Sequence, residues 1–315
     1  MADKQRDNRQ GLLISQGTKK DGVPNMKVIL TTDGSAAAEK AIRWFVRLPL
    51  HKGHEYEIVT VVTYEAYNFI ATELYHRYRE LVKKQARHSF ERALAILHES
   101  KVDAIHVELV GQPADKITSY ANESGADLIV LGSRGASRLA RILMMGSTCD
   151  AIATHAPCSV LVVRDDVRDL SPDKPLHISL AFDGSEASRD SVTQLQSLCF
   201  PSTSKISLIS VIEHPPLLDA DVPYDANVTR QTEVALQNLA DQLKLSFESI
   251  ETEVIEAVHV GSSILEYLEK SETDIVVVGE KGRSAINRFF MGSVSRFVLS
   301  NAHCSVFLSR KRFGK

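Results

Sequence analysis

The chain has 315 residues, 43 % of them apolar and 24 % charged, which suits two packed domains and excludes a disordered polymer. A net charge of −3 excludes a global basic field that recruits nucleic acid, and no apolar run reaches the length of about 18 that spans a bilayer. Cys149, Cys158, Cys199 and Cys304 form no Cys-x-x-Cys pair, and the opening MADKQRDNRQ lacks an apolar core; a reducing cytoplasm and no signal peptide are expected.

After an arm over 1–25, runs rich in Val, Ile and Leu alternate with helical patterns. The first half, 26–164, reads as strand 27–32, helix 35–48, strand 57–63, helix 70–99, strand 105–110, helix 113–124, strand 127–132, helix 147–155 and strand 159–163. The polar stretch DDVRDLSPDKP, 165–175, carries two prolines and suits a linker. The second half, 176–310, reads as strand 176–182, helix 185–198, strand 205–212, helix 228–246, strand 252–258, helix 262–271, strand 274–279, helix 293–301 and strand 304–309, with a tail over 311–315. The Pro-rich 213–225 is expected to be a surface loop. Near-continuous apolar strands are expected to be buried on both faces of a parallel sheet, because strands alternating with helices build βαβ units. The segment 64–99 mixes Tyr and Arg with apolar residues. It reads as a long amphipathic helix covering the sheet, with partner or nucleic-acid binding as the alternative.

The halves are copies of one another. VILTTDGSAAAEKAI from Val28 aligns with ISLAFDGSEASRDSV from Ile178, DLIVLGSRG from Asp127 with DIVVVGEKG from Asp274, and HAPCSVLVVR from His155 with NAHCSVFLSR from Asn301. Three anchors in the same order indicate a tandem duplication.

The segments between the last two anchors carry the candidate chemistry. In the second half Gly279 ends a strand, Gly282 allows a turn, and after residues 283–291 Gly292 and Ser293 open the helix SVSRFVLSNA. Glycine at a strand end lets backbone approach a ligand closely. The first helical turn, here Ser293, Val294 and Ser295, has unpaired N–H groups suited to phosphate. Ser293 either caps that helix or donates to a phosphate oxygen, and Arg283 and Arg288 either add charge or face water. The first half has Gly132, Gly135, Gly146 and Ser147, with a spacer, 136–145, that is one residue longer. Glycine at strand ends and serine at helix starts also occur in proteins that bind nothing. The absence of Gly-x-x-x-x-Gly-Lys-Ser/Thr argues against an ordinary P-loop NTPase.

These residues, with Asp-Gly-Ser after the first strand of each half and Ala-Pro-Cys-Ser-Val-Leu-Val-Val before the linker, resemble the universal stress protein family, and the chain resembles its tandem members from residue 26 to 310. The resemblance implies two Rossmann-like open parallel sheets, strand order 3-2-1-4-5 with helices on both faces, joined through their last strands as an internal pseudo-dimer. It implies an adenine nucleotide, ATP or AMP with or without Mg²⁺, for members with Gly-x-x-Gly, nine residues, Gly-Ser/Thr, and none for members lacking that pattern. The second half matches this spacing. By the same resemblance Asp33 or Asp183 approaches the adenine end, and Thr31 and Val62, or Ala181 and Val211, line the base pocket. The alternatives are helix capping for the Asp or the following Ser and core packing for the valines. In the second half Glu280 and Lys281 replace the more usual Ser-Arg. An acid beside a phosphate is unfavourable unless it turns away or holds a cation.

Other chemistries find less support. His106-x-Glu108 with Pro157-Cys158 lacks the second cysteine of a zinc deaminase, no Gly-x-Ser-x-Gly elbow is present, and the histidines lack metal spacing. Cys158 and Cys304 open apolar strands and are expected to be buried and inert. Three readings remain: a nucleotide-binding stress or regulatory protein, a slow ATPase or phosphotransferase with Asp183 or Glu280 holding Mg²⁺, and a ligand-free scaffold. A homodimer beyond the internal pair and an unidentified protein partner are compatible with each.

Overall fold

The structure, a computed structural model, describes residues 25–48, 54–63, 72–134, 145–165, 167, 174–198, 200–214, 226–282 and 291–311. The first half runs β1 (Lys27–Thr31), α1 (Ala36–Val46), β2 (Glu55–Val62), α2 (Thr72–Glu99), β3 (Ile105–Val110), α3 (Pro113–Ser124), β4 (Leu128–Gly132), α4 (Ser147–His155) and β5 (Ser159–Val163). The second repeats it as β6 (His177–Ala181), α5 (Glu186–Ser197), β7 (Lys205–Glu213), α6 (Ala226–Leu243), β8 (Ser249–Ala257), α7 (Val260–Lys270), β9 (Ile275–Gly279), α8 (Ser293–Asn301) and β10 (Ser305–Ser309).

The repeated Asp-Gly-Ser is a helix-start device in both halves. Asp33 Oδ1 accepts from Ser35 N at 2.9 Å and Ser35 Oγ from Ala38 N at 3.2 Å; Asp183 and Ser185 do the same at 3.0 and 3.2 Å. The glycines between them have φ of 77° and 79°, a left-handed conformation that a Cβ disfavours. The capping alternative therefore holds for both Asp and Ser.

The strands form one ten-stranded sheet in the order β3-β2-β1-β4-β5-β10-β9-β6-β7-β8. Each half has the expected order, and all pairings are parallel except the seam, where β5 and β10 run antiparallel with Val306 opposite Val162, Phe307 opposite Leu161 and Leu308 opposite Val160. The two expected sheets are thus continuous, and the pairing covers what would otherwise be two exposed edges. Alternation along each strand feeds two cores. Val28, Leu30, Ile178, Leu180 and Phe307 pack on the face of α1, α2, α5 and α6, whereas Ile29, Val160, Val276, Val306 and Leu308 pack on the face of α3, α4, α7 and α8. Both cores cross the seam.

The outer strands depart from expectation. β3 and β8 are half-exposed rather than buried on both faces, with Ile105 61 % and Val110 49 % accessible. β8 begins at Ser249, not 252, because Ile250, Glu251, Thr252 and Glu253 alternate and read poorly as an apolar run. Its charged edge resists pairing with another chain. Helices expected at 228–246 and 262–271 lie at Ala226–Leu243 and Val260–Lys270.

At the amino ends of the strands the duplicated positions have exchanged chemistry. In the first half Lys27 Nζ pairs with Glu57 at 3.2 Å. In the second, His177 Nδ1 donates to Ser271 O and Nε2 is hydrogen-bonded with Ser207 Oγ, both at 2.8 Å. Burial, assisted by Lys205, lowers the His177 pKa from the usual 6.5, against raising contributions from the Ser271 carbonyl, Asp274 and Glu251. The folded ring resists a proton that the unfolded chain accepts. Its contribution to stability is therefore complete above about pH 6.5 and is lost as pH falls below that value. Replacing it in His177→Gln is expected to shrink the drop in melting temperature between pH 7.5 and 5.5. An unchanged drop would remove His177 from the acid sensitivity.

Cys149, Cys158 and Cys304 are buried, as expected of the latter two, and burial pushes the Cys149 and Cys304 pKa values up to about 12.

Candidate functional site

Strand order reverses between β6 and β9, and a cleft of about 990 Å³ opens at their carboxyl ends. All nine residues singled out in the second half line it: Ala181, Asp183, Val211, Gly279, Gly282, Gly292, Ser293, Val294 and Ser295. Three chemical regions are distinguishable.

The first is an aliphatic wall of Ile209, Val211, Val228, Ala235, Val260 and Ile264, drawn from β7, α6 and α7. A flat apolar ring fits such a wall. The second is polar: Asp183 faces Gly282 closely enough that a Cβ on the glycine would stand 3.0 Å from Asp183 Oδ2. The third is the start of α8. Its N-cap is Gly292 in extended conformation, with no side-chain cap bond, so the first-turn donors are uncovered by any side chain of the cap. Ser293 is thus the first helical residue, exposed, and does not cap the helix. Lys281 and Arg189 also line the cleft and supply positive charge.

Two bonds hold this end together. Gly292 N donates to Glu280 O at 2.7 Å, and Ser295 Oγ donates to Gly279 O at 2.6 Å. Ser295 therefore contributes its hydroxyl to the scaffold. The strand-end glycines also serve packing. A Cβ on Gly279 would meet Ala187 backbone carbon at 3.1 Å, and one on Gly132 would meet Ala37 O at 3.0 Å, so these glycines admit α5 and α1. Gly292 is different: its virtual Cβ has only ordinary contacts at 3.4–3.5 Å.

Glu280 turns away from the cleft. Its Oε2 accepts from Arg310 Nε at 2.6 Å and its Oε1 stands 3.3 Å from Lys281 Nζ. The two cations offset the carboxylate charge beside a bound anion. Among the described residues no group of three or more His, Cys, Asp or Glu side chains is placed to hold a metal ion.

The first-half counterparts are arranged less openly. Thr31 is buried and its Oγ1 donates to Val130 O at 3.2 Å; Val62 is fully buried, unlike the half-exposed Val211. Asp33 is exposed, and α2 lies against the following turn: Arg92 Nη2 donates to Gly34 O at 2.5 Å, its Nε pairs with Glu39 at 2.9 Å, and a Cβ on Gly34 would stand 2.3 Å from Ser89 Oγ. Gly146 is the uncapped N-cap of α4, donates to Ser133 O at 2.8 Å, and precedes the exposed Ser147. Gly135 lies outside the described residues, as do Arg283 and Arg288.

Sequence reading missed Ser210, Gln231 and Thr232 in the cleft wall. Helix α6 was visible as an element, but nothing in its sequence says which of its polar positions overhang the strand ends.

The family described as the Universal stress protein family matches residues 24–164 and again 176–310. A universal stress protein of Mycolicibacterium smegmatis is 26 % identical over 300 residues, covering 90 % of this chain and 97 % of that one. The shorter universal stress protein YxiE of Bacillus subtilis is 32 % identical over 147 residues, covering 44 % of this chain and 98 % of its own. A crystal structure of a universal stress protein from Archaeoglobus fulgidus shares the fold, with a TM-score of 0.66 over 90 % of this chain and 98 % of that one at 17 % identity.

Proposed function

The chain belongs to the universal stress protein family, and from that premise we propose that it is a regulatory protein whose second half binds an adenine nucleotide, ATP or AMP, in the cleft between β6 and β9. The observation that carries this is the convergence of the aliphatic wall, Asp183 and the uncapped start of α8 in one cleft, on residues whose spacing is Gly279-x-x-Gly282, then Gly292-Ser293. The wall takes the adenine ring, and the Asp183 carboxylate accepts from hydroxyl or amino groups of the nucleoside. The backbone donors of Ser293, Val294 and Ser295, with Lys281, take the phosphates. Mg²⁺, when present, is carried on the phosphate oxygens and neutralises their charge.

Regulation rather than turnover is the favoured reading, because Glu280 is committed to Arg310 and Lys281. Of the carboxylates that line the cleft among the described residues, Asp183 and Glu213, Asp183 is assigned to the nucleoside. The first half is a poorer candidate, with Val62 buried and the Gly34 turn held by α2.

Thermal melting with and without ATP–Mg²⁺ tests the reading. Nucleotide at 100 times its dissociation constant adds about 2.7 kcal/mol of stability. An upward shift with ATP and AMP, absent with GTP, is expected. No shift with any adenine nucleotide, in protein first stripped of bound nucleotide, would favour the ligand-free scaffold.

A further inference from the structure

We propose that Glu280 and Arg310 form a relay by which occupancy of the second half's cleft loosens helix α4 of the first half; the proposal rests on the nucleotide reading above. Lys281 lines the cleft, and its Nζ stands 3.3 Å from Glu280 Oε1. The other carboxylate oxygen of Glu280 accepts from Arg310 Nε at 2.6 Å. Arg310 is only 4 % accessible and reaches across the seam. Its Nη1 donates to Ala156 O at 2.6 Å, and its Nη2 to Ala153 O at 2.8 Å and Thr154 O at 3.2 Å. These are the last carbonyls of α4, the groups a helix leaves without internal partners. The other end of α4 is Gly146-Ser147, the first half's candidate phosphate terminus. Each link from the cleft to that helix is a direct polar contact.

The first half is wired differently. Ser133 and Arg134 occupy the positions of Glu280 and Lys281, and Arg164 that of Arg310. Arg134 Nε pairs with Asp165 at 2.7 Å, and Arg164 donates to Leu299 O near the end of α8. The guanidinium clamp on the opposite helix is thus duplicated. The carboxylate joining clamp to cleft belongs to the second half.

The expected response follows from charge. A polyphosphate in the cleft draws the Lys281 ammonium toward itself. Glu280 is then left to Arg310, in surroundings that screen poorly. Glu280 Oε1, released by Lys281, turns to Arg310 Nη2 to complete a two-bond fork with Nε. Nη2 gives up its bonds to Ala153 O and Thr154 O, and the last turn of α4 opens more often. By linkage, a ligand at the start of α4 and a nucleotide in the cleft alter one another's affinity by equal factors.

Amide hydrogen exchange on the full chain tests this, in wild type, Glu280→Ser and Glu280→Gln, each with and without saturating ATP–Mg²⁺, with binding followed by calorimetry. Serine is the residue the first half carries at this position, and the near-isosteric glutamine guards against a folding defect. In wild type, exchange over residues 152–156 should rise by about fivefold or more with ATP, the lower end of typical coupling between sites. Both variants should bind ATP without that rise. An unchanged α4 in wild type, while residues 293–299 gain protection, would overturn the relay and leave nucleotide binding standing. A rise that persists in both variants would overturn the route through Glu280. No heat of binding and no change in any peptide would overturn the nucleotide reading and the relay with it.

Discussion

Arg310→Met is expected to lower the stability of the folded chain by about 3–5 kcal/mol, the range for removing one partner of a buried ion pair. The side chain is nearly inaccessible and satisfies the carbonyls of Ala153, Thr154 and Ala156 together with the Glu280 carboxylate. Methionine fills much of the volume but donates nothing. Three helix-end carbonyls and one oxygen of the Glu280 carboxylate then lose the Arg310 donors, and each buried acceptor left unsatisfied costs roughly 1–3 kcal/mol. Partial access of water to Glu280, 19 % exposed at its side chain, keeps the total below the sum. The backbone at Arg310 is unaffected: its N–H donates to Ser159 Oγ at 3.0 Å and its carbonyl accepts from Gln194 Nε2 at 2.8 Å, so the β5–β10 seam persists. The measurement is the urea midpoint of unfolding. A shift within error of zero would mean that the α4 carbonyls are satisfied without Arg310.

Much of the fold was legible because its signals are local. Strands 105–110 and 159–163 and helices 113–124, 147–155 and 293–301 match β3, β5, α3, α4 and α8 residue for residue. Pro113 at a helix start and Gly146-Ser147 and Gly292-Ser293 before helices mark their own boundaries. The edge strand β8 was placed three residues late because its amino end alternates Ile and Thr with Glu, the pattern of a strand with one wet face.

The candidate site divides along the same line. The glycines and Asp183 were visible as motifs. What Gly279 does was not, because its neighbour Ala187 is distant in sequence and the contact exists only once α5 docks on the sheet. Glu280 was visible as an anomaly. Its resolution needed Arg310, which β10 brings alongside through its pairing with β9. The cleft-lining positions Gln231 and Thr232 depend on how α6 is rotated over the strand ends, which helical periodicity leaves open.

The placement of nucleotide in the second half is tested most directly by equilibrium titration of ATP–Mg²⁺ against wild type, Gly292→Val and Gly146→Val. Both glycines sit in extended backbone, φ −60° and −76°, that L residues adopt freely, so neither substitution strains the chain. At Gly292 the Cβ itself fits, 3.4 Å from Gly282 N, but the branched methyls crowd the space between Gly282 and the start of α8. Losing two backbone hydrogen bonds to a charged phosphate costs about 3 kcal/mol, roughly a hundredfold in affinity. One nucleotide per chain in wild type, weakened about a hundredfold by Gly292→Val and unchanged in Gly146→Val, is the predicted result. Binding that survives Gly292→Val and is lost in Gly146→Val would contradict it and move the nucleotide to the first half.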